Sequence, residues 1–210
     1  MTKMARAAGS LAGTAALAMA LAASPALAAD TPSKALDKAP AGQTVILDGA
    51  RTSVSHLKAL EGKHLYIVAA KKGGDTYAFT SKSAFKAHVR RALGVKLSDR
   101  KPRKGPSGKA RAKASWAGDY ARFYQHYDGF GWGFNINSGY GESDLSFVGC
   151  FLWFCSNYND QISSVQTYGR GAILYSETGY RGWSYYVGPN QHHNIAPWFN
   201  DMASSAYVYW

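Results

Sequence analysis

One six-residue phrase occurs twice in this chain of 210 residues. Asn159-Asp160-Gln161-Ile162-Ser163-Ser164 returns 41 residues later as Asn200-Asp201-Met202-Ala203-Ser204-Ser205. Each copy opens with an amide and a carboxylate, passes two variable positions and closes on paired hydroxyls. A repeat at this spacing marks a duplicated supersecondary unit, so the C-terminal half is expected to fold as two copies of one motif. Ahead of the second copy stands Tyr175-Ser176-Glu177-Thr178-Gly179-Tyr180-Arg181-Gly182, two aromatics separated by four residues and followed by a glycine. Ahead of the first, the stretch ending Tyr127-Asp128-Gly129 reads as a weaker version, with Arg122 where the leading aromatic is expected and Phe123 one place late. Measured from these glycines, the first copy carries about twelve extra residues, which coincide with the apolar run 147–155.

The chemistry of the chain is split. Residues 116–210 hold three arginines, no lysine and seven carboxylates, whereas residues 30–115 hold nineteen basic and six acidic residues. Of the 29 aromatic residues, 25 lie after residue 115, in short runs punctuated by glycine. That pattern predicts an all-β sandwich for 116–210. The basic excess therefore belongs to the N-terminal half, and the whole-chain net charge of +11 is no argument for a specific nucleic-acid binder.

Residues 1–28 read as a signal peptide: Lys3 and Arg6 precede an apolar run from Leu11 to Ala23, and Ala26-Leu27-Ala28 offers a cleavage site before Ala29. The run is Ala-rich and carries Gly13 and Ser24-Pro25, which argues against a transmembrane anchor. The expected location is extracellular. In an oxidising compartment Cys150 and Cys155 are expected to form a disulfide closing a short loop. Two cysteines alone make a poor zinc site.

Residues 29–95 are expected to form a small α+β domain or a propeptide. Leu65 to Ala69 and Thr76 to Thr80 read as a hairpin. Ser81 or Ser83 can cap a helix whose Ala84, Phe85, His88, Val89 and Leu93 share a stripe, with Gly94 as its stop. Residues 96–115 are expected to be a disordered basic linker, because 96–113 is dense in lysine and arginine and has one acid and no aromatic. Such a segment serves either as a solvated connector or as an attachment to anionic polymers or cell surfaces. Its dibasic pairs also permit processing.

The two phrases and their glycine-terminated aromatic stretches resemble the βγ-crystallin superfamily, in which each Greek key carries such a hairpin and a later clamp. The resemblance covers 116–210 and extends to secreted bacterial members, among them metalloproteinase inhibitors and a killer-toxin-like protein. It implies a mainly β fold with a C-terminal sandwich of two Greek keys. It also implies calcium, up to two ions, with Asp160 and Ser204 serving one and Asp201 and Ser163 the other. Backbone oxygens of Gln161, Met202 and the hairpins near Tyr124 and Ser176 would complete the shells, and Asn159 and Asn200 would brace the loops. The chemistry suits that ion, since calcium takes six to eight oxygens from carboxylates, hydroxyls, carbonyls and water. One carboxylate per site implies modest affinity. The same residue types also form tight turns without any ion.

The run containing Phe151, Leu152, Trp153 and Phe154 is either packed beneath the sandwich edge or displayed to a partner, and a secreted metalloprotease is one such partner. Catalysis is not expected. His192-His193 lacks an HExxH context, no GxSxG or phosphate-binding loop occurs, and Glu142 with Asp144 reads as a surface turn. The expected function is a secreted calcium-binding module acting as a binding or inhibitory protein. The alternative is an antimicrobial or killer-toxin-like protein that uses its basic segment on anionic surfaces.

Overall fold

The structure is a computed structural model that describes residues 36–37, 39–70, 74–104, 119–151 and 154–210, with the side chains of 149–155 outside the described set. The N-terminal half contains β1 (Thr44–Leu47), β2 (Ala50–Ser53), β3 (Tyr66–Val68), β4 (Tyr77–Phe79), helix α1 (Lys82–Leu93) and β5 (Arg103–Lys104). As the sequence predicts, β3 and β4 pair antiparallel. Ser81 caps α1 by accepting from the Ala84 N–H, and Gly94 ends the helix in the left-handed region at φ 68°. Phe85 and Val89, four residues apart, form its buried stripe.

The C-terminal half holds β6 (Tyr120–Tyr124), β7 (Gly133–Asn137), β8 (Tyr140–Glu142), the hairpin β9 (Val148–Phe151) and β10 (Phe154–Ser156), then β11 (Ser164–Tyr168). The second unit follows as β12 (Ala172–Glu177), β13 (Arg181–Val187), β14 (His192–Asn194) and β15 (Ser205–Val208). Two sheets result, one ordered β14-β11-β6-β7 and the other containing β13-β12-β15-β8. The third strand of each unit has crossed over: β14 pairs with β11 of the first unit, and β8 pairs with β15 of the second. These are two Greek keys that exchange a strand, so neither sheet is complete without the other key.

Alternation within the strands builds the sandwich. Ala121 and Phe123 of β6 point inward and Arg122 outward. They meet Phe134 and Ile136 on one side and Leu174, Trp183 and Tyr185 of the facing sheet on the other. In β13, however, Trp183, Ser184, Tyr185, Tyr186 and Val187 are all buried. A strand without alternation is one covered on both faces. The second cover is the N-terminal half: Phe79, Phe85, Val89 and Leu97 pack with Ile173, Tyr186, Tyr207 and Tyr209 in a separate core on the outer face of that sheet.

The halves of the chain are also hydrogen-bonded into one sheet. Strand β3 lies parallel to β13, with Tyr66 opposite Ser184 and Val68 opposite Tyr186, giving a nine-stranded order β2-β1-β4-β3-β13-β12-β15-β8-β5. The charge boundary in the sequence is therefore not a gap in the fold. Of the 96–115 segment expected to be a disordered basic linker, the described part, 96–104, makes contacts with the fold. Leu97 is buried in the outer core, Arg103 and Lys104 pair with Tyr140 and Gly141, and the Arg103 guanidinium sits 4.5 Å from the Trp210 ring centre. Apolar and ring contacts hold a segment whose composition alone predicts solvation. Residues 105–118, and the signal peptide expected at 1–28, lie outside the described residues.

Candidate metal centre

Both copies of the repeated phrase turn the chain ahead of the last strand of a key, and both do so with the same backbone. Asp160 has φ 53° and Asp201 φ 56°. Aspartate is one of the few residues besides glycine that adopt this left-handed conformation, as Asp48 and Asp128 also do in this chain. In each copy the preceding amide holds the carboxylate: Asn159 donates to Asp160 Oδ2 at 2.7 Å and Asn200 donates to Asp201 Oδ2 at 2.7 Å.

The other carboxylate oxygen faces the opposite copy. Ser204 Oγ is 3.4 Å from Asp160 Oδ1, and Ser163 Oγ is 3.2 Å from Asp201 Oδ1. Each of these serines also reaches a hairpin carbonyl, Ser163 that of Gln125 at 2.6 Å and Ser204 that of Ser176 at 3.3 Å. Two oxygen triads result, Asp201–Ser163–Gln125 and Asp160–Ser204–Ser176. Within each, a single hydroxyl hydrogen serves a carboxylate and a carbonyl at once. Oxygens of one calcium shell stand roughly 3 Å apart when each is about 2.4 Å from the ion, so the triads fit a hard cation.

The cleft beside them, about 240 Å³, is lined by Gln125, His126, Asp160, Gln161, Ser163 and Asp201. The Gln161 side chain accepts from Gln125 Nε2 at 2.6 Å, and the Met202 side chain, which carries no oxygen, is fully buried. Among the described residues no three His, Cys, Asp or Glu side chains converge. A site here therefore draws on at most two such side chains, Asp160 and Asp201 both lining the cleft, supplemented by hydroxyls and carbonyls.

The second serine of each pair has a different task, one the sequence reading did not separate. Ser164 donates to the His126 carbonyl at 2.6 Å and accepts from the Gly129 N–H at 3.1 Å. Ser205 donates to the Glu177 carbonyl at 2.6 Å and accepts from the Tyr180 N–H at 3.0 Å. Both are fully buried and pin the folded tip of the hairpin onto the sheet.

These bonds re-register the first hairpin. Gly129 occupies the place of Tyr180, so Gly131 matches Gly182 and Tyr124 matches Tyr175. The clamp serine follows its hairpin carbonyl by 38 residues in the first key and by 28 in the second, so the insertion is ten residues rather than twelve. Gly131 and Gly182 confirm the match: both have positive φ, and a Cβ would strike the side chain of His126 in one case and of Ser176 in the other. Counting back from the serine pair rather than from the nearest glycine is the signal that finds this register.

The remaining candidates disperse. His192 is exposed, whereas His193 turns inward and shares a 2.9 Å hydrogen bond with the Tyr185 hydroxyl. Burial, with His192 second, pushes its imidazole down to about 4, so it is a neutral structural group. Asp144 caps a short turn by accepting from the Ser146 N–H. The inserted residues are the β9–β10 hairpin, whose paired strands carry Cys150 and Cys155. The expected disulfide, and the side chains of Phe151, Leu152, Trp153 and Phe154, lie outside the described set.

Among solved structures, the chain is similar to a βγ-crystallin from an archaeon (19% identity over 43% of this chain and 98% of that one, TM-score 0.35). It is similar also to a βγ-crystallin from Ciona intestinalis (21% identity, 42% and 98%, TM-score 0.35). A third similar structure is a clostrillin double mutant in complex with nickel (18% identity, 43% and 98%, TM-score 0.32). No protein-family model matches the chain, and no curated protein matches it. The site assignments rest on this chain's own geometry.

Proposed function

We propose that residues 116–210 form a calcium-binding module of the βγ-crystallin type, holding up to two ions, and that the chain is an exported binding protein rather than a catalyst. The crossed oxygen triads carry this reading, because the two aspartates are each braced by an amide and aimed at the other clamp's serine. Asp201, Ser163 and the Gln125 carbonyl would hold one ion. Asp160, Ser204 and the Ser176 carbonyl would hold the other. The Gln161 and Met202 backbones would add to the shells, and water would complete them.

Each ion would tie a clamp loop to the base of a hairpin. The first hairpin displays Phe130 and Trp132, which are 69% and 79% exposed. Large aromatic side chains on a rigid support are the usual anchors of protein recognition. Calcium would therefore stiffen a presenting loop. The resemblance noted above makes a secreted metalloprotease the first partner to try. The basic run 96–113 ahead of the sandwich, read as an attachment to anionic surfaces, is the competing use.

The test is thermal unfolding of the full chain in chelator and in millimolar calcium, alongside Asp160→Ala with Asp201→Ala. An ion that binds only the folded state adds about 2.7 kcal/mol at a hundredfold excess over Kd, so a clear rise in Tm is expected and should vanish in the double variant. A wild-type chain indifferent to calcium would reduce the clamps to turns. Inhibition assays against secreted zinc proteases, with Trp132→Ala as the control, then examine the partner.

A further inference from the structure

A hollow of about 480 Å³ lies on the outer face of the extended sheet, between α1 and the 98–102 segment, and shares no residue with the cation clamps. Its volume falls within the range of small-molecule sites, about 300–1,000 Å³. Five tyrosines line it: Tyr66 from β3, Tyr175 from β12, Tyr180 from the following turn, Tyr207 from β15 and Tyr209 just beyond. Their phenols are close enough to influence one another. Burial first, then the neighbouring phenols of Tyr207, Tyr66 and Tyr180, hold Tyr175 above the ordinary tyrosine range, and burial, Glu142 and Tyr207 push Tyr180 up to about 12. At neutral pH these groups are uncharged and able both to donate and to accept.

One of them has no partner. Tyr207 is 3% exposed, and its buried hydroxyl makes no hydrogen bond among the described residues. A buried phenol is ordinarily paired, and this one stands in the wall of a cavity. The rim is cationic. Lys82, Arg100 and Lys101 line it against a single carboxylate, Asp99, which is itself engaged by Lys82 at 3.4 Å and by Lys86. Arg100 leans on the Trp210 ring, and Lys101 makes no ion pair among the described residues.

We propose that this hollow binds an acidic saccharide unit, with the tyrosine rings against the C–H face of the sugar, the Tyr207 hydroxyl paired to a sugar hydroxyl, and Lys101 with Arg100 facing the carboxylate. The combination selects the class. An apolar ligand leaves the Tyr207 hydroxyl unpaired, a cation is repelled at the rim, and a bare inorganic anion makes no use of the rings. A pyranose offers a flat apolar face and a ring of hydroxyls together, which is what a wall of phenols can meet on both counts.

Calorimetric titration of the full chain with trigalacturonate, performed in chelator so that the clamps take no part, tests this directly. Saturable binding is expected, weakened by about tenfold or more when the carboxylates are methyl-esterified, and weakened similarly in Tyr207→Phe and in Lys101→Ala. Tyr207→Phe removes one unpaired hydroxyl, so its Tm should equal or exceed that of the wild type, which separates loss of binding from loss of fold. No saturable heat at millimolar trigalacturonate, or equal binding by the methyl ester, or equal binding by both variants, overturns the proposal.

Discussion

Ser163 belongs to the first clamp, yet its hydroxyl lies 3.2 Å from the carboxylate of Asp201 in the second. The reciprocal pair, Ser204 and Asp160, makes the arrangement two-fold. Calcium-dependent stability should accordingly divide by ion rather than by sequence copy. In a double-mutant cycle on the calcium-induced change in stability, Ser163→Ala and Asp201→Ala should be strongly non-additive, with coupling on the order of 1 kcal/mol, whereas Ser163→Ala and Asp160→Ala should come closer to adding. Coupling within each copy instead would show that the crossed geometry is not the functional one.

The second serines predict a loss that calcium cannot restore. Ser205→Ala strips partners from the Glu177 carbonyl and the Tyr180 N–H, and Ser164→Ala does the same at His126 and Gly129. Each should cost about 1–3 kcal/mol of unfolding free energy by denaturant titration, equally in chelator and in calcium.

The revised register of the first hairpin has its own test. A Cβ on Gly131 comes within 2.7 Å of the His126 ring, whereas one on Gly129 finds nothing closer than 3.5 Å. Both residues have positive φ, so the conformational penalty is shared and the clash distinguishes them. Gly131→Ala should lower Tm more than Gly129→Ala, and the reverse order would restore the register read from the sequence.

His193 makes stability fall on acidification. Its imidazole titrates near 4 in the folded chain and near the ordinary 6.5 when unfolded, so between those values the unfolded state binds the extra proton. The contribution is fully present above about pH 6.5 and is lost as pH falls towards 4, amounting to at most about 3 kcal/mol. Unfolding free energies measured across that window should slope more steeply in the wild type than in His193→Gln.

What the sequence discloses is local. The cap at Ser81 and the stop at Gly94 bound α1 because the signals lie within a few residues of what they govern. The two clamp phrases were legible for the same reason. The roles of the paired serines were not, since Ser163 and Ser164 differ only in which carbonyl, Gln125 or His126, lies across the fold. The junction of β3 with β13 was hidden too. A parallel pairing between Tyr66 and Ser184 leaves no mark in either stretch beyond the unbroken burial of Trp183 to Val187, which composition reads simply as aromatic richness.

That junction bears on what happens if the dibasic stretch is cut in the cell. The N-terminal piece would stay where it is, gripped by a strand and a helix. Were it stripped away, the remaining sandwich would present the bare edge of β13 and a sheet face bearing Ile173, Tyr175, Tyr186 and Tyr207, an invitation to pair with another copy of itself. The first half of the chain covers that edge and that face, and a version of this protein trimmed to residues 116–210 would be the sticky one.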